Sequence, residues 1–466
     1  MKLKDIVFLE DYFFGKQLGI NCMDFNKSSY FNKTDFFKNQ FDYIDNFVRQ
    51  NEQTQPQCYQ SNIGYFEDNF EIIPTFDFLE NPNQREDTLY FYQINIYSWP
   101  ADSFDNDSVF NKIPYKIIEH LKYNPNVYLI INASSEGYLP YESFNNLNNW
   151  LLEKELKLDK TFLIHANYRI SEYALDYKEK YKTDKCVNVI PYLWSIPFFH
   201  NKLHYDNFSN ETLYKQNFNV GRKKSFNLLT REQKPHRTQL LCDLHYLDLI
   251  ENNNVSYDFY LHEGYEDVNH IKNNWIKMEQ WFEQDSPKFQ RYWKILEDLI
   301  EKAPKKTIDY ERLWDVRGEG METDIPYKDT LFTVVAESFF YETERIGYVS
   351  EKVIKPILHQ HPFIVLSTSG TLTWLHNMGF KTFGETGYVD ETYDCEEDPE
   401  KRYKMVLKEI INLSQLTTEQ RETFMYNCKE IIEHNYNHLK NFDMVKYNRN
   451  MMWYFQKART NLDFLL

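Results

Sequence analysis

The chain has 466 residues, too many for one ordinary hydrophobic core, so we expect two domains of roughly 200 residues each. Hydrophobic residues make up 42% and charged residues 26% of the chain, a globular composition that excludes wholesale disorder. The 53 basic and 70 acidic residues give a net charge of −17, which disfavours binding to nucleic acid or to anionic membranes.

Six cysteines stand far apart without a CxxC pair, so the sequence predicts neither a zinc knuckle nor a disulfide framework and favours a reducing compartment. No apolar run approaches the roughly 20 residues that span a bilayer. The N-terminus also lacks a small-residue cleavage site. We therefore expect a soluble, cytoplasmic protein without a membrane span.

In the first half of the chain, apolar β-rich runs alternate with helical segments of about ten residues. Such alternation predicts a parallel, Rossmann-like sheet. Residues 1–60 are polar and aromatic without clear periodicity, and they predict no element. The predicted strands are 88–98, 127–131, 161–164 and 187–191, and the predicted helices are 113–122, 144–156 and 171–181.

A polar, Asn-rich stretch at 200–224 interrupts this alternation, and we expect a domain boundary within it. The predicted domains are 1–215 and 216–440, followed by a C-terminal helix at 441–466. The pattern resumes with a strand at 225–230, a helix at 236–249 and strands at 255–259, 331–336 and 362–366. Residues 263–320 look mostly helical, and Thr417 with Gln420 forms a capping-box pattern that predicts a further helix start.

Three cations follow the predicted strand at 225–230, namely Arg231, Lys234 and Arg237. A helix start presents backbone N–H groups, and a guanidinium group presents a fork of donors; both favour phosphate oxygens. The cluster therefore predicts an anion site. The alternative interpretation is a solvated basic turn.

Ser350, Glu351 and Lys352 repeat this arrangement after the strand at 331–336. Ser350 is the predicted N-cap of a helix, and the Glu351 carboxylate lies beside the positive helix end. In a purely structural interpretation, Glu351 only caps the helix and Lys352 is only exposed. Pro356 predicts that this helix is short or kinked. Thr368-Ser369-Gly370 ends the next strand and is a candidate N–H cradle.

Glu337 after an apolar strand, followed by Tyr348-Val349-Ser350-Glu351-Lys352, resembles the donor-site signature of the alpha-1,3-fucosyltransferases. The wider stretch 331–394 resembles a set of phage and giant-virus glycosyltransferase-like proteins. The resemblance is specific over 331–394, weak over 225–260 and absent over 1–220. It implies an α/β fold of the GT-B type, with two Rossmann-like domains facing across a cleft and C-terminal helices packing back.

The resemblance also implies roles for single residues. Glu351 would bind the ribose, Lys352 the phosphates, and Arg231 or Arg237 the pyrophosphate, while Glu337 would stand near the sugar or the base. The implied donor-binding set is Arg231, Lys234, Arg237, Glu337, Tyr348, Ser350, Glu351 and Lys352. Ser338 stands where the family has Asn, and Glu342 and Glu344 add acids to the loop, so the donor sugar stays open between GDP- and UDP-sugars.

The base that activates an acceptor hydroxyl is expected at strand ends of the first domain. Glu136 follows the strand at 127–131 beside a glycine and is the first candidate. His165 follows the strand at 161–164 and is a rival base, with Asn167 as a candidate acceptor ligand. A histidine in such a place is more often structural.

Asp105-Asn106-Asp107 matches the DxD motif of metal-dependent glycosyltransferases, but three residues specify little, and we expect no metal and no cofactor besides the sugar nucleotide. No HExxH, Walker A, GxSxG or GxGxxG motif is present. This argues against metalloprotease, nucleotidase, α/β-hydrolase and dehydrogenase functions.

The resemblance to the fucosyltransferases implies a glycosyltransferase that moves a sugar from a nucleoside-diphosphate sugar to a glycan or other hydroxyl acceptor, and it alone implies inversion at the anomeric carbon. One alternative is a phage-type glycosyltransferase acting on a modified DNA base, which requires a local basic groove. Another is a non-catalytic carbohydrate-binding or virion protein on the same scaffold.

Overall fold

The chain divides into two compact units. The first comprises 1–198, 344–346 and 443–466, and the second comprises 199–343 and 347–442. The computed structural model describes residues 6–10, 71–74, 78–79, 88–96, 110, 113–134, 137–193, 195–196, 222–230, 234–259, 286–306, 325–341, 345–444 and 446–447.

The first unit contains a parallel sheet in which six strands are described, in the order β2-β1-β3-β4-β5-β6. All residues of β4 and β5 are buried, as expected for parallel strands that are covered on both faces. The strands are β1 (Ile6–Glu10), β2 (Glu71–Pro74), β3 (Leu89–Asn95), β4 (Val127–Ala133), β5 (Thr161–His165) and β6 (Asn188–Pro191).

Three helices connect the later strands of this sheet: α1 (Tyr115–Tyr123), α2 (Tyr141–Glu153) and α3 (Ile170–Tyr181). Aromatic side chains join α2 to α3. The rings of Tyr141 and Tyr173 stack with centroids 4.5 Å apart, and Phe144 meets Tyr177 edge-on at 4.7 Å. The high aromatic content of the sequence is thus used, in part, to fill this helical layer.

The second unit contains a sheet in which five strands are described, in the order β11-β10-β7-β8-β9. β9 is antiparallel to β8, and the other pairs are parallel. Strands β8 and β9 follow β7 on one side of it. The chain then crosses back, so that β10 and β11 lie on the other side of β7. The strands are β7 (Lys224–Thr230), β8 (Asn254–Asp258), β9 (Lys305–Lys306), β10 (Thr330–Ala336) and β11 (Phe363–Leu366).

The described helices of the second unit are α4 (Pro235–Tyr246), α5 (Pro287–Lys302), α6 (Glu351–Leu358), α7 (Thr371–Asn377), α8 (Pro399–Ser414) and α9 (Thr418–Lys440). Single helical turns occur at Leu158–Lys160, Ile325–Lys328, Phe383–Thr386 and Glu391–Cys395. The predicted capping box is confirmed at the start of α9, where Thr417 and Gln420 exchange hydrogen bonds. None of the described helices is long and apolar enough to cross a membrane.

The α/β class with parallel sheets is confirmed, and the elements predicted within 88–191, 225–259 and 331–366 are present to within a few residues of their predicted ends. The sequence pattern did not predict β1, β2 and β9, which are two to five residues long and are defined by pairing to distant strands.

The predicted boundary at residue 215 lies outside the described residues. Tyr447, in the predicted C-terminal helix, packs on the first unit, where its hydroxyl contacts both backbone polar groups of Leu193.

Candidate functional site

The carboxyl ends of β7 and β10 are adjacent in the second unit because these two strands pair in parallel. The strand order reverses between them. In open α/β sheets, ligands bind outside the carboxyl ends of the strands at such a reversal. The predicted cation cluster follows β7, and the predicted group Ser350, Glu351 and Lys352 follows β10.

Glu337 directly follows β10, and its side chain is fully buried. Its carboxylate accepts hydrogen bonds from the Ser350 amide at 2.9 Å, the Ser350 hydroxyl at 2.7 Å and the Ser338 amide at 3.2 Å. Burial raises the pKa of Glu337 above its ordinary value, although Lys352 and the Ser350 hydrogen bonds act in the opposite direction. The carboxylate therefore joins the end of β10 to the start of α6, thirteen residues later.

Ser350 is the N-cap of α6, as predicted, and its hydroxyl oxygen accepts from the amide of Lys352 at 3.2 Å. The same oxygen accepts from the ammonium of Lys352 at 3.3 Å while its proton is donated to Glu337. A serine hydroxyl has one proton and two lone pairs, so its capacity for hydrogen bonds is used up. Ser350 thus orients its neighbours and has no donor or lone pair left for a ligand.

Glu351 and Lys352 are the partly exposed members of this cluster, with side-chain exposures of 31% and 25%. The Lys352 ammonium lies 2.9 Å from a carboxylate oxygen of Glu351. Burial opposes ionisation of Glu351, but Lys352, Lys355 and its hydrogen bonds together outweigh burial and lower the pKa to about 2. Glu351 is therefore a carboxylate at neutral pH, beside a cation that has three donors and uses two of them on described residues.

The start of α4 contacts the residues that follow β10. Arg237 is buried, and its guanidinium donates to the main-chain oxygen of Glu337 at 3.0 Å. His236 is within 2.8 Å of the same oxygen, so its Nε2 carries the proton, and burial together with Arg237 holds the pKa of His236 well below its usual range. Lys234 extends over the ring of Phe339 at 5.2 Å.

The structure therefore brings Arg237 and Lys352 to opposite ends of one residue. Arg237 contacts the main-chain oxygen of Glu337, and Lys352 contacts the serine that binds its carboxylate. Tyr348 is buried beside this cluster, with its ring edge-on to Phe339 at 5.4 Å. Arg231 lies outside the described residues.

The turn after β11 uses its helix-start amides internally. The Asp394 carboxylate accepts from the amides of Leu372 and Thr373 at 2.8 and 2.9 Å, and its main-chain oxygen accepts from Gly370. Ser369 donates to Glu397 at 3.0 Å. The Asp394 carboxylate therefore takes the amides at the start of α7, and the Gly370 amide is also paired within the protein, while a cradle at 368–370 stays a prediction.

In the first unit, His165 is fully buried, and burial lowers its pKa to about 3. Its Nδ1 accepts from the Asn167 amide at 3.0 Å, so the ring is neutral with the proton on Nε2. Asn167 caps the turn into α3 through the Arg169 amide at 2.8 Å and donates to the main-chain oxygen of Arg345, which groups with this unit. These contacts are typical of structural residues. Glu136 and the Asp105–Asp107 motif lie outside the described residues.

Sequence reasoning did not single out His236, Asp394 or Arg402, although each has buried polar contacts near the carboxyl edge of the second sheet. Their partners lie 101, 22 and 62 residues away, so no local pattern marks them. No protein-family model matches this chain, and no curated protein is significantly similar to it. The fucosyltransferase resemblance therefore rests on the motif residues themselves.

Proposed function

We propose that this protein is a glycosyltransferase that takes a sugar from a nucleoside-diphosphate sugar and transfers it to a hydroxyl acceptor. The observation that carries the proposal is the chain of contacts from buried Glu337 through Ser350 to Lys352 at the end of β10. The residues of the donor motif lie together where the strand order reverses, a common place for nucleotides in α/β sheets.

The two exposed groups of this cluster suit the two parts of a nucleotide. A lysine ammonium binds phosphate as a point charge, and a carboxylate accepts from ribose hydroxyls. Glu337 holds Ser350, Ser350 holds the Lys352 ammonium, and Lys352 pairs with Glu351, so these contacts exist before a ligand arrives. Preorganised positive charge beside a departing diphosphate is often the largest contribution to catalysis of group transfer. Lys352 would supply that charge, and Glu351 would orient the nucleoside.

We assign acceptor binding to the first unit, which has its own parallel sheet, and the GT-B arrangement is part of the proposal. The C-terminal segment returns to the first unit, where Tyr447 contacts Leu193, and this supports the proposed GT-B arrangement. Inversion and independence from metal follow only from the family resemblance. His165 is fully buried and its lowered pKa of about 3 makes it a weak base, so we keep Glu136 as the preferred candidate base.

A thermal-shift screen against GDP, UDP, CDP and their sugars tests the proposal. A ligand present at 100 times its Kd stabilises the folded state by about 2.7 kcal/mol. We expect one nucleotide series to raise Tm, and we expect the sugar nucleotide to be hydrolysed slowly with release of the nucleoside diphosphate. Binding without release favours the non-catalytic alternative. No binding by any of these nucleotides contradicts the proposal.

Lys352→Ala should weaken binding of the selected nucleoside diphosphate by about tenfold or more, because one charge-assisted contact is worth roughly 1.5–3 kcal/mol. Lys404→Ala is the matched control, since Lys404 is an exposed lysine on α8. Calorimetric titration of both variants measures the difference. Equal affinities for the two variants would mean that Lys352 does not contact the nucleotide.

A further inference from the structure

Side chains from two helices hold the short loop 337–341 after β10. From α4 and the residue before it, His236 and Arg237 bind the Glu337 main-chain oxygen, and Lys234 covers Phe339. Gln239 of α4 also accepts a hydrogen bond from the Tyr341 hydroxyl. From α8, Arg402 binds the main-chain oxygen of Phe340. The loop is thus fixed at four of its five residues.

Arg402 makes the most extensive of these contacts. Its guanidinium donates to the main-chain oxygens of Phe340 at 2.7 Å, Ser367 at 3.0 Å, Glu396 at 2.6 Å and Glu397 at 3.2 Å. It also lies 4.7 Å from the centre of the Phe340 ring, and the residue is only 3% exposed. One side chain therefore joins the loop after β10 to the end of β11 and to the segment before α8.

This position is unfavourable for a cation in two respects. Arg402 lies in the first turns of α8, near the positive end of the helix dipole, and burial of a charge costs several kcal/mol unless hydrogen bonds compensate it. Carbonyls at strand ends lack partners within the sheet and also need donors when they are buried. A planar fork with five donors satisfies several such carbonyls at once, which a lysine ammonium cannot do.

The loop that Arg402 holds begins with Glu337. Phe340 contacts both Arg402 and His236, whose ring stacks on it with centroids 5.4 Å apart, and His236 binds the Glu337 main-chain oxygen. The Glu337 carboxylate in turn fixes Ser350 and, through it, Lys352. A displacement of the loop would therefore be transmitted to the ammonium that the proposed function assigns to phosphate.

We propose that Arg402 is a positioning residue for the donor site: it sets the loop 337–341, and thereby Glu337 and Lys352, without touching the ligand. This inference rests on the proposed function. Misplacement of positioning groups by about 1 Å is enough to reduce the rate of a reaction by about a hundredfold. Arg402→Gln, which retains a single donor group, should weaken nucleoside-diphosphate binding by about tenfold.

The control variant is Ile410→Ala, because Ile410 is a fully buried residue of the same helix and takes no part in the hydrogen bonds and ring contacts described above for the loop. It should leave the affinity within about twofold of the wild type, since sites without shared partners act independently. Arg402→Lys keeps the charge but not the fork, so it should fall between Arg402→Gln and the wild type. If Arg402→Gln does not fold, Arg402→Lys provides the test in its place.

Two measurements are made on each variant: calorimetric titration with the nucleoside diphosphate chosen by the thermal-shift screen, and hydrogen–deuterium exchange without ligand. Faster exchange of the Ser338 and Ser350 amides in both Arg402 variants, but not in Ile410→Ala, supports the inference. If the wild type binds the nucleotide and the Arg402 variants bind as tightly as Ile410→Ala, the positioning role is wrong and the proposed function stands. If the wild type binds no nucleotide, the proposed function fails, and this inference fails with it.

Discussion

Glu337 illustrates how a buried charge organises its surroundings. A carboxylate is almost never fully buried without partners, and here two backbone amides and one hydroxyl provide them. The contact with Ser350 uses the serine proton, so the proposed function assigns the ligand to the neighbouring Glu351 and Lys352. Within this cluster, Glu337 and Ser350, which orient their neighbours, are buried. Glu351 and Lys352, which are proposed to bind the nucleotide, are partly exposed.

The low pKa of Glu351 predicts a pH effect on stability. Its pKa is about 2 in the folded state against an ordinary 4.5, so ionised Glu351 stabilises the fold above pH 4.5, and this stabilisation is lost as pH falls towards 2. Glu351→Gln should therefore lose less stability than the wild type over this range. Urea unfolding at a series of pH values measures the difference. Parallel pH profiles for the two proteins would show that Glu351 does not interact with Lys352 as described.

Part of this cluster could be predicted from the sequence because its contacts are local. Ser350 and Lys352 are two residues apart, and the N-cap at Ser350 follows from the residue types alone. The contacts of Arg402 with Phe340 and Ser367, and of Asp394 with Leu372, could not be predicted, since they depend on which distant segments become neighbours. The burial of Arg237 against the backbone after β10 could not be predicted for the same reason.

At the scale of elements, α7 and α9 meet where α7 ends. Gly379 follows α7 with φ of +91°, and a Cβ at this position would lie 2.7 Å from the His438 ring of α9. That ring donates to the main-chain oxygen of Met378 at 2.8 Å, so it cannot move aside without breaking a hydrogen bond. The contact explains why the sequence has glycine at this turn, beyond the usual preference at helix ends.

Gly379→Ala should therefore destabilise the protein more than Gly387→Ala. Gly387 also has positive φ, at +74°, but no atom lies within 4 Å of the position that a Cβ would take there. The Gly387 variant should cost only the left-handed strain of about 1–2 kcal/mol, and the Gly379 variant about 1–3 kcal/mol more from the clash. Urea unfolding of both variants provides the comparison. Equal losses would indicate that His438 moves freely.

At the scale of the whole molecule, the net charge of −17 contrasts with the cations gathered around one loop. Lys234, Arg237 and Arg402 each contact the loop 337–341, and Lys352 contacts the serine that its first residue holds. The chain thus places positive groups at the strand-order reversal of the second sheet, while its composition as a whole is acidic. The proposed function requires that this local charge, rather than the overall charge, attracts the nucleotide.

The most direct test of the central claim is a crystal structure of the protein with the nucleoside diphosphate selected by the thermal-shift screen. We predict a phosphate oxygen within hydrogen-bonding distance of the Lys352 ammonium, about 3 Å, and a ribose hydroxyl at the Glu351 carboxylate. A nucleotide bound elsewhere, with Lys352 still paired only to Glu351 and Ser350, would contradict the claim.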